Sequence, residues 1–464
     1  MRILFFILTF IFTAFLSAQD ITGSWNGEIQ AGSKKIYFIF NISKTSEYKT
    51  VIDIPTQRIN GIVAQKTHLE NNQLTVDISN LGMIYKGVLN PDKNQIEGRV
   101  TEGANSFSLT LKREKVEVGE INKRPQEPLK PYPYFEENIT FKNEKAGVTL
   151  AGTLTLPNTK RLHPAVILIS GSGPQDRDET ISGHKPFLVL ADHLTRKGIA
   201  VLRYDDRGFG KSSGNHSEAT THDFAKDVLN AITYLKSRKD IDLDNIGLIG
   251  HSEGGIIAPL VINQSNNGIA FMVSLAGTGI SGTELSVMQS KTLRSFPVPD
   301  EEAYEKAVRK AIEIAGSDKD IEVIKKELKT HYNNTTIPII RKLGVPENKI
   351  NQMIEGSINA STSKWSRNFY HYNPADEYEK VTCPVLSLNG SKDTQVEAKI
   401  NQEGIRNALI KGGNKDFKIL ELPNLNHLFQ ECETGAMSEY GDIEQTFAPV
   451  ALNEISSWIL DHIR

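Results

Sequence analysis

The chain has 464 residues, too many for one ordinary domain and enough for two or three. Its 53 basic and 56 acidic residues nearly balance, which argues against a nucleic-acid binder working through a basic surface. Hydrophobic residues at 39% and aromatic ones at 8% fit a soluble globular protein.

At the N-terminus, Met1-Arg2 precede an apolar run from Ile3 to Leu16, and Ser17-Ala18-Gln19 follow. A basic start, a short apolar run and small residues are the signature of a secretory leader, with cleavage expected near Ala18. The run is short for a bilayer span. The mature protein is therefore expected to be exported, to the periplasm or beyond the cell, with no stable membrane insertion. No cysteine follows the run, which argues against a lipid anchor.

Residues 19–113 read as all-β. Eight strand-like runs, Ser24–Gln30, Lys35–Ser43, Tyr48–Ile54, Gly61–Leu69, Gln73–Ser79, Met83–Leu89, Gln95–Val100 and Ser106–Lys112, are separated by turn residues. That spacing predicts a small barrel or sandwich, most simply an up-and-down meander closing on itself. Gly23-Ser24-Trp25 is similar to the opening of lipocalin-like barrels. An interior filled by side chains is expected rather than a ligand cavity. Residues 114–136, with Pro125, Pro128, Pro131 and Pro133, predict an extended, stiff linker.

From 137 to 464 strands and helices alternate, which predicts a largely parallel sheet with helices on both faces. An opening hairpin is expected over Asn138–Lys142 and Val148–Leu156. Ala165–Ile169 is an apolar run of the kind covered on both faces. Further strands are expected at Ile199–Arg203, Asn245–Ile249, Phe271–Leu275, Pro384–Leu388 and Phe417–Leu422, and helices at Pro186–Lys197, Ala219–Ser237 and Pro449–Ile463. About 100 residues between Ala276 and Cys383 lack a strong strand, and Glu301–Ala315, Ile321–Tyr332 and Glu347–Ile358 read as helices. This predicts an inserted helical cap over about 283–372. The two cysteines, Cys383 and Cys432, fall at opposite edges of such a sheet. A typical strand separates those edges by about 17–20 Å, whereas a disulfide tolerates Cα atoms about 4.4–6.8 Å apart. Two separate buried thiols are expected.

Gly250-His251-Ser252-Glu253-Gly254 fits the G-x-S-x-G nucleophile elbow, with a strand before it and a helix after it. A serine hydroxyl needs a base, and a histidine held by a carboxylate supplies one. The expected order along the chain is serine, acid, histidine. Asp393 directly follows the strand ending at Leu388, and His427 follows the next strand in a turn-rich loop. Glu421 and Asp416 are worse placed as the acid, His462 sits in the terminal helix, and His251 leaves the elbow in the wrong direction to act as base. An oxyanion needs two preorganised N–H donors. The backbone amides of Glu253 and Ser172 are expected to supply them, with Gly171 and Gly173 as alternatives to Ser172. The stretch 203–212, rich in Arg and Asp, lacks phosphate-loop spacing and reads as an ion pair bracing a loop. Nothing has the spacing of a zinc or calcium site, so neither metal nor cofactor is expected.

These residues resemble the α/β-hydrolase superfamily. Gly250-His251-Ser252-Glu253-Gly254-Gly255, Ser170-Gly171-Ser172-Gly173-Pro174-Gln175-Asp176-Arg177-Asp178 and Asn426-His427-Leu428-Phe429 are similar to the EstD-type carboxylesterases, a branch related to serine aminopeptidase-like hydrolases. The likeness covers residues 137–464, and the all-β segment ahead of them also fits that branch. It implies Ser252 as nucleophile, Asp393 as acid and His427 as base. Ser170 stands where the superfamily more commonly has the histidine of a His-Gly pair. Three functions remain open: an exported carboxylesterase acting on small-molecule esters, a serine aminopeptidase or amidase holding a free amino terminus on cap acids (Asp300, Glu301, Glu302, Glu305), and a protein whose barrel binds carbohydrate or lipid. Acyl specificity and oligomeric state are not legible.

Overall fold

The computed structural model describes residues 20–463 apart from 32–33, 58, 80–81, 93, 103–104, 114–123, 265–267 and 295. The expected leader, 1–18, lies outside the described residues. Two compact units divide at Lys123/Arg124.

The first unit is a single antiparallel sheet of nine strands: β1 (Gly23–Ala31), β2 (Lys34–Lys44), β3 (Tyr48–Ile54), β4 (Ile59–Val63), β5 (Lys66–Glu70), β6 (Gln73–Ile78), β7 (Met83–Leu89), β8 (Gln95–Glu102) and β9 (Asn105–Lys112). Their order is β4-β3-β2-β1-β9-β8-β7-β6-β5. Alternation aims every second side chain inward, as with Leu74, Val76 and Ile78 of β6, all fully buried. Trp25, Phe40, Tyr85 and their apolar neighbours fill the interior. The Tyr85 ring meets Phe40 edge-on at 5.3 Å, and its hydroxyl donates to the carbonyls of Ile96 (3.2 Å) and Leu109 (3.3 Å). Gly87 and Gly98 make room for it, since a Cβ at either would lie 2.5 Å from the Tyr85 oxygen.

Where one strand is expected over Gly61–Leu69, the structure has two. The Ala64 amide still bonds to Thr50 of β3, but the Gln65 amide bonds to Asp77 of β6. The chain thus passes from one end of the sheet to the other between these two residues. Among the described residues no ladder joins β4 to β5, so the meander stays open there instead of closing fully.

The second unit begins earlier than the expected linker ends. The Arg124 guanidinium donates to the carbonyls of Ile443 (2.8 Å) and Gly441 (2.9 Å), and Gln126 bonds to the backbone of Thr446 and Phe447. The proline-rich stretch is therefore anchored from Arg124 onward. The sheet consists of β10 (Phe135–Asn143), β11 (Val148–Leu156), β12 (His163–Ile169), β13 (Ala200–Tyr204), β14 (Ile241–His251), β15 (Phe271–Leu275), β16 (Val385–Gly390) and β17 (Phe417–Leu422). Its order is β10-β11-β13-β12-β14-β15-β16-β17. The first two ladders are antiparallel and the remaining five parallel. The central strands are mostly apolar because helices cover both faces.

The helices in chain order are α1 (Pro186–Arg196), α2 (Thr221–Lys236), α3 (Gly254–Gln264), the cap helices α4 (Gly282–Thr292), α5 (Glu301–Gly316), α6 (Ile321–Asn334), α7 (Thr336–Lys342), α8 (Glu347–Ser361) and α9 (Lys364–Tyr370), then α10 (Ala375–Tyr378), α11 (Ala398–Lys411) and α12 (Pro449–His462). Helices α2, α3 and α11 pack on one face of the sheet, and α1 and α12 on the other. The start of α2 is fixed by a capping box in which Thr220 and Asp223 each satisfy the other's amide. The cap has its own core of Ala311, Ala315, Ile324, Leu328, Ile337, Ile340, Ile350, Ile354 and Ile358. Among the described residues it holds six helices where three were expected. Helices α7 and α9 span seven residues each, too few to show a period, and α4 (GTELSVMQSKT) carries no sharp apolar stripe. Cys383 and Cys432 are both free, but each is partly exposed rather than buried. Cys383 precedes β16 and Cys432 follows the loop after β17, and neither position is fully covered. Burial pushes the Cys383 thiol up to about 12.

Candidate active site

Ser252 sits between the end of β14 and the start of α3, with φ of 51°. That left-handed conformation is strained for a residue with a side chain, by about 1–3 kcal/mol. It is held because the Ser252 amide bonds to Leu275 of β15 at 2.8 Å while its carbonyl accepts from Gly255 at 2.9 Å. The flanking glycines are required by contact distance. A Cβ on Gly250 would lie 2.0 Å from the Gly254 carbonyl oxygen, and one on Gly254 would lie 2.1 Å from that of Ile169. No side chain fits at either place, so strand, turn and helix close tightly around the serine.

Asp393 follows β16 and is buried. Its Oδ1 accepts the amides of Gln395 and Val396, both at 2.8 Å, and its Oδ2 accepts from His427 Nδ1 at 2.7 Å. Two amides and the imidazole thus orient the carboxylate, which does not cap α11. With a proton on Nδ1, neutral His427 presents a lone pair on Nε2, the state a general base needs. Lys392 points away and donates to the carbonyls of Cys432 and Glu433. Among the described residues no hydrogen bond joins the Ser252 hydroxyl to His427. The ring of His251, the residue before Ser252, lies 4.7 Å from that of His427.

His251 does not face the reaction centre. It is buried, its Nε2 donates to the His427 carbonyl at 2.9 Å and its Nδ1 meets Glu179 Oε1 at 2.8 Å. Burial opposes a charge on this imidazole, but the Glu179 carboxylate outweighs it and holds the group above the usual histidine range.

Ser172 lines one small cavity together with Ser252, Glu253 and the cap residues Leu285, Trp365 and Phe369. Among the described residues the amides of Ser172 and Glu253 donate to no protein acceptor. Gly171, an expected alternative, is committed elsewhere, its amide donating to Glu179 Oε1 at 2.8 Å. Two adjacent aspartates hold the loop that carries Ser172. Asp206 accepts from the Ser170 hydroxyl (2.8 Å) and the Gln175 amide (2.9 Å), and burial pushes its carboxyl well above the usual range. Asp205 pairs with Arg177 at 2.7 Å. The 203–212 stretch does brace a loop, but with partners from outside it: Arg203 pairs with Asp178 and Arg207 with Asp227.

The cavity measures about 40 Å³, on a scale where one water takes roughly 10–15 Å³. Ile256, Leu285, Phe369 and Val396 give it apolar walls, and the Trp365 and Phe369 rings stack at 4.8 Å. The Glu253 carboxyl ties cap to elbow, with its Oε1 accepting from Thr221 (2.7 Å) and Trp365 Nε1 (2.8 Å). Burial raises this carboxyl above its ordinary value. Two larger cavities, of about 1060 and 340 Å³, lie within the cap and do not include Ser252. Among the described residues no group of three or more His, Cys, Asp or Glu is placed to hold a metal ion.

Sequence reasoning missed Glu179, Trp365 and Thr221. The acidic run Asp176-Arg177-Asp178-Glu179 just past the expected oxyanion loop was the available signal for the first. Nothing in the cap sequence marks Trp365.

A family model described as serine aminopeptidase, S33, matches residues 185–334. Esterase EstD of Thermotoga maritima is 26% identical over 382 residues, covering 81% of this chain and 79% of that protein. A proline iminopeptidase of Lactobacillus helveticus is 26% identical over 254 residues, covering 52% of this chain and 79% of that protein. The structure of Est1E from Butyrivibrio proteoclasticus with ferulic acid aligns with a TM-score of 0.41 at 17% identity, covering 70% of this chain and 98% of that one. Sheet order and elbow, with the EstD likeness beside them, give the chain an α/β-hydrolase fold and make it similar to the EstD esterase.

Proposed function

We propose that this protein is an exported serine esterase that hydrolyses small acyl esters. The observation that carries the reading is the buried Asp393–His427 pair beside the strained Ser252 turn, all beyond the C-terminal ends of parallel strands. In the proposed cycle, rotation about the Ser252 Cα–Cβ bond brings Oγ within reach of His427 Nε2. Oγ attacks the ester carbonyl and its proton passes to Nε2, while Nδ1–H stays on Asp393. The oxyanion accepts the amides of Glu253 and Ser172, each such donor contributing about 2.7–4 kcal/mol to the transition state. Collapse expels the alcohol, protonated by His427, and leaves an acyl-enzyme. A water deprotonated by His427 releases the acid and restores the serine. The small apolar cavity supports a short acyl group. The leader expected over 1–18 supports export, checked by whether the mature N-terminus of the secreted protein falls next to Ala18.

A peptidase reading draws on the similarity to the proline iminopeptidase, but the cap acids it would need are engaged elsewhere. Glu301 pairs with Arg294, Glu302 with Lys306, and Glu305 with Lys291 and Arg309. Asp300 caps α5. None of the four lines the cavity that holds Ser252. A barrel-binding reading would need an interior that Trp25, Phe40 and Tyr85 already occupy. A panel of short chromogenic esters and aminoacyl anilides decides the matter. Esters, acetate foremost, are expected to turn over at least about 100-fold faster than any anilide. Preference for the anilides would overturn the ester reading.

A further inference from the structure

The active site contains a second histidine–carboxylate pair that the proposed mechanism does not use. Glu179 is buried, and its backbone is held at φ of 51°. A strain of about 1–3 kcal/mol persists only where the surroundings fix the residue, and here the carboxylate provides the fixing contacts. One oxygen, Oε1, accepts the Gly171 amide and faces His251 Nδ1, both at 2.8 Å. The other nitrogen of His251 donates to the backbone carbonyl of His427 at 2.9 Å. Three separate segments meet in this chain of contacts: the loop after β12 that presents Ser172, the last residue of β14 beside Ser252, and the loop after β17 that presents His427.

We infer that Glu179 and His251 are positioning residues, which lock the oxyanion loop and the base loop in register with Ser252. The inference rests on the serine-hydrolase reading above. It follows from counting protons. The His427 carbonyl can only accept, so His251 Nε2 must carry a hydrogen. The Gly171 amide can only donate, so Oε1 must accept. One proton must then lie between Nδ1 and Oε1, because without it two lone pairs would face each other at 2.8 Å. Only an acid paired with a histidine meets all three conditions at once. A glutamine at 179 cannot. With its oxygen toward Nδ1 it takes the one ring proton of a neutral imidazole, and Nε2 loses its hydrogen. With its nitrogen toward Nδ1 the Gly171 amide loses its acceptor. The charged and titratable groups around the imidazole are Glu179, Asp393 and the His427 ring.

The two ring nitrogens can be tested separately. An asparagine amide falls near the position of Nδ1, and a glutamine amide near that of Nε2. His251→Asn keeps a partner for Glu179 and drops the bond to His427, whereas His251→Gln keeps a donor for His427. The readouts are kcat, KM and the pH profile of kcat/KM for ester hydrolysis, with thermal unfolding as a check on folding. His251→Asn and Glu179→Gln are expected to lower kcat about 10–100-fold with KM little changed, the usual effect of removing such a support. Both should also move the acid limb of the profile, which reports the base. His251→Gln, which keeps the bond to His427 and loses the one to Glu179, is expected to keep the wild-type limb with a smaller loss of kcat than His251→Asn. Wild-type kcat and profile in His251→Asn would overturn the inference. So would equal losses in both His251 variants that track the loss of folded protein, the mark of a merely structural role. If neither His251 variant folds, Glu179→Gln decides: a fall in kcat at constant KM supports the inference, and no change contradicts it. Full activity in Ser252→Ala would instead sink the underlying reading, an outcome distinct from a Ser252→Ala that is dead beside a fully active His251→Asn.

Discussion

The barrel-like unit and the rim of the second unit's sheet treat buried polarity in opposite ways. Inside the first unit the buried polar side chains among the described residues are Asn26 and Thr50, set in an otherwise apolar filling. Among the described residues, non-glycine residues with left-handed backbone occur there only at the Asn71-Asn72 turn. At the sheet rim, Glu179, Asp206, His251, Glu253, Asp393 and His427 are all buried. Left-handed backbone recurs around them at Glu179, Ser252, Ala276, Asn424 and Phe429. Burying a charge or straining a backbone costs stability. A fold that concentrates both along one edge, and has little of either in its other unit, supports that edge as the site of the proposed chemistry.

The contrast can be broken by substitutions on either side of it. Ser252→Ala should lower kcat by about 10⁴–10⁶-fold and Asp393→Asn by about 10⁴-fold. Neither should move the unfolding midpoint far if both side chains serve the proposed reaction. Steady-state ester hydrolysis beside thermal melts checks this, and undiminished turnover in Ser252→Ala refutes the assignment. Leu285→Ala opens the apolar wall of the 40 Å³ cavity. It should shift preference toward longer acyl chains by about 10-fold or more, since one methylene is worth about 1–3 kcal/mol in such a pocket. A p-nitrophenyl ester series of increasing chain length measures the shift, and an unchanged profile would place the acyl group elsewhere. Gly98→Ala in the first unit should do the reverse. Its Cβ would meet the Tyr85 oxygen at 2.5 Å, and overpacking of this kind costs about 1–3 kcal/mol. Stability should fall with kcat unchanged, and a large loss of kcat in folded protein would give the barrel interior a catalytic role.

Much of the rim was legible in the sequence because its residues sit next to strong local signals. Ser252 lies in a five-residue motif between an apolar strand and a helix. Asp393 and His427 each follow a strand that reads cleanly as apolar. Glu179 was not legible, because its role depends on backbone curvature and on two partners 8 and 72 residues away. The cap was read only in outline. Its longer helices show a period of 3.6, but α4 and α9, which wall the cavity with Leu285, Gln289, Trp365 and Phe369, are short or weakly patterned. The split of Gly61–Leu69 into β4 and β5 was hidden for a different reason. Which strand accepts a backbone amide is a long-range matter, and nothing in Ala64-Gln65 announces the change of partner.

The central claim is that one serine, activated by His427, carries the reaction. Labelling the intact protein with a fluorophosphonate and mapping the adduct by peptide mass spectrometry tests it directly. The account predicts one adduct per chain, on Ser252, forming at a rate that collapses in His427→Ala while that variant stays folded. An adduct on another residue, or equally fast labelling without His427, would contradict it.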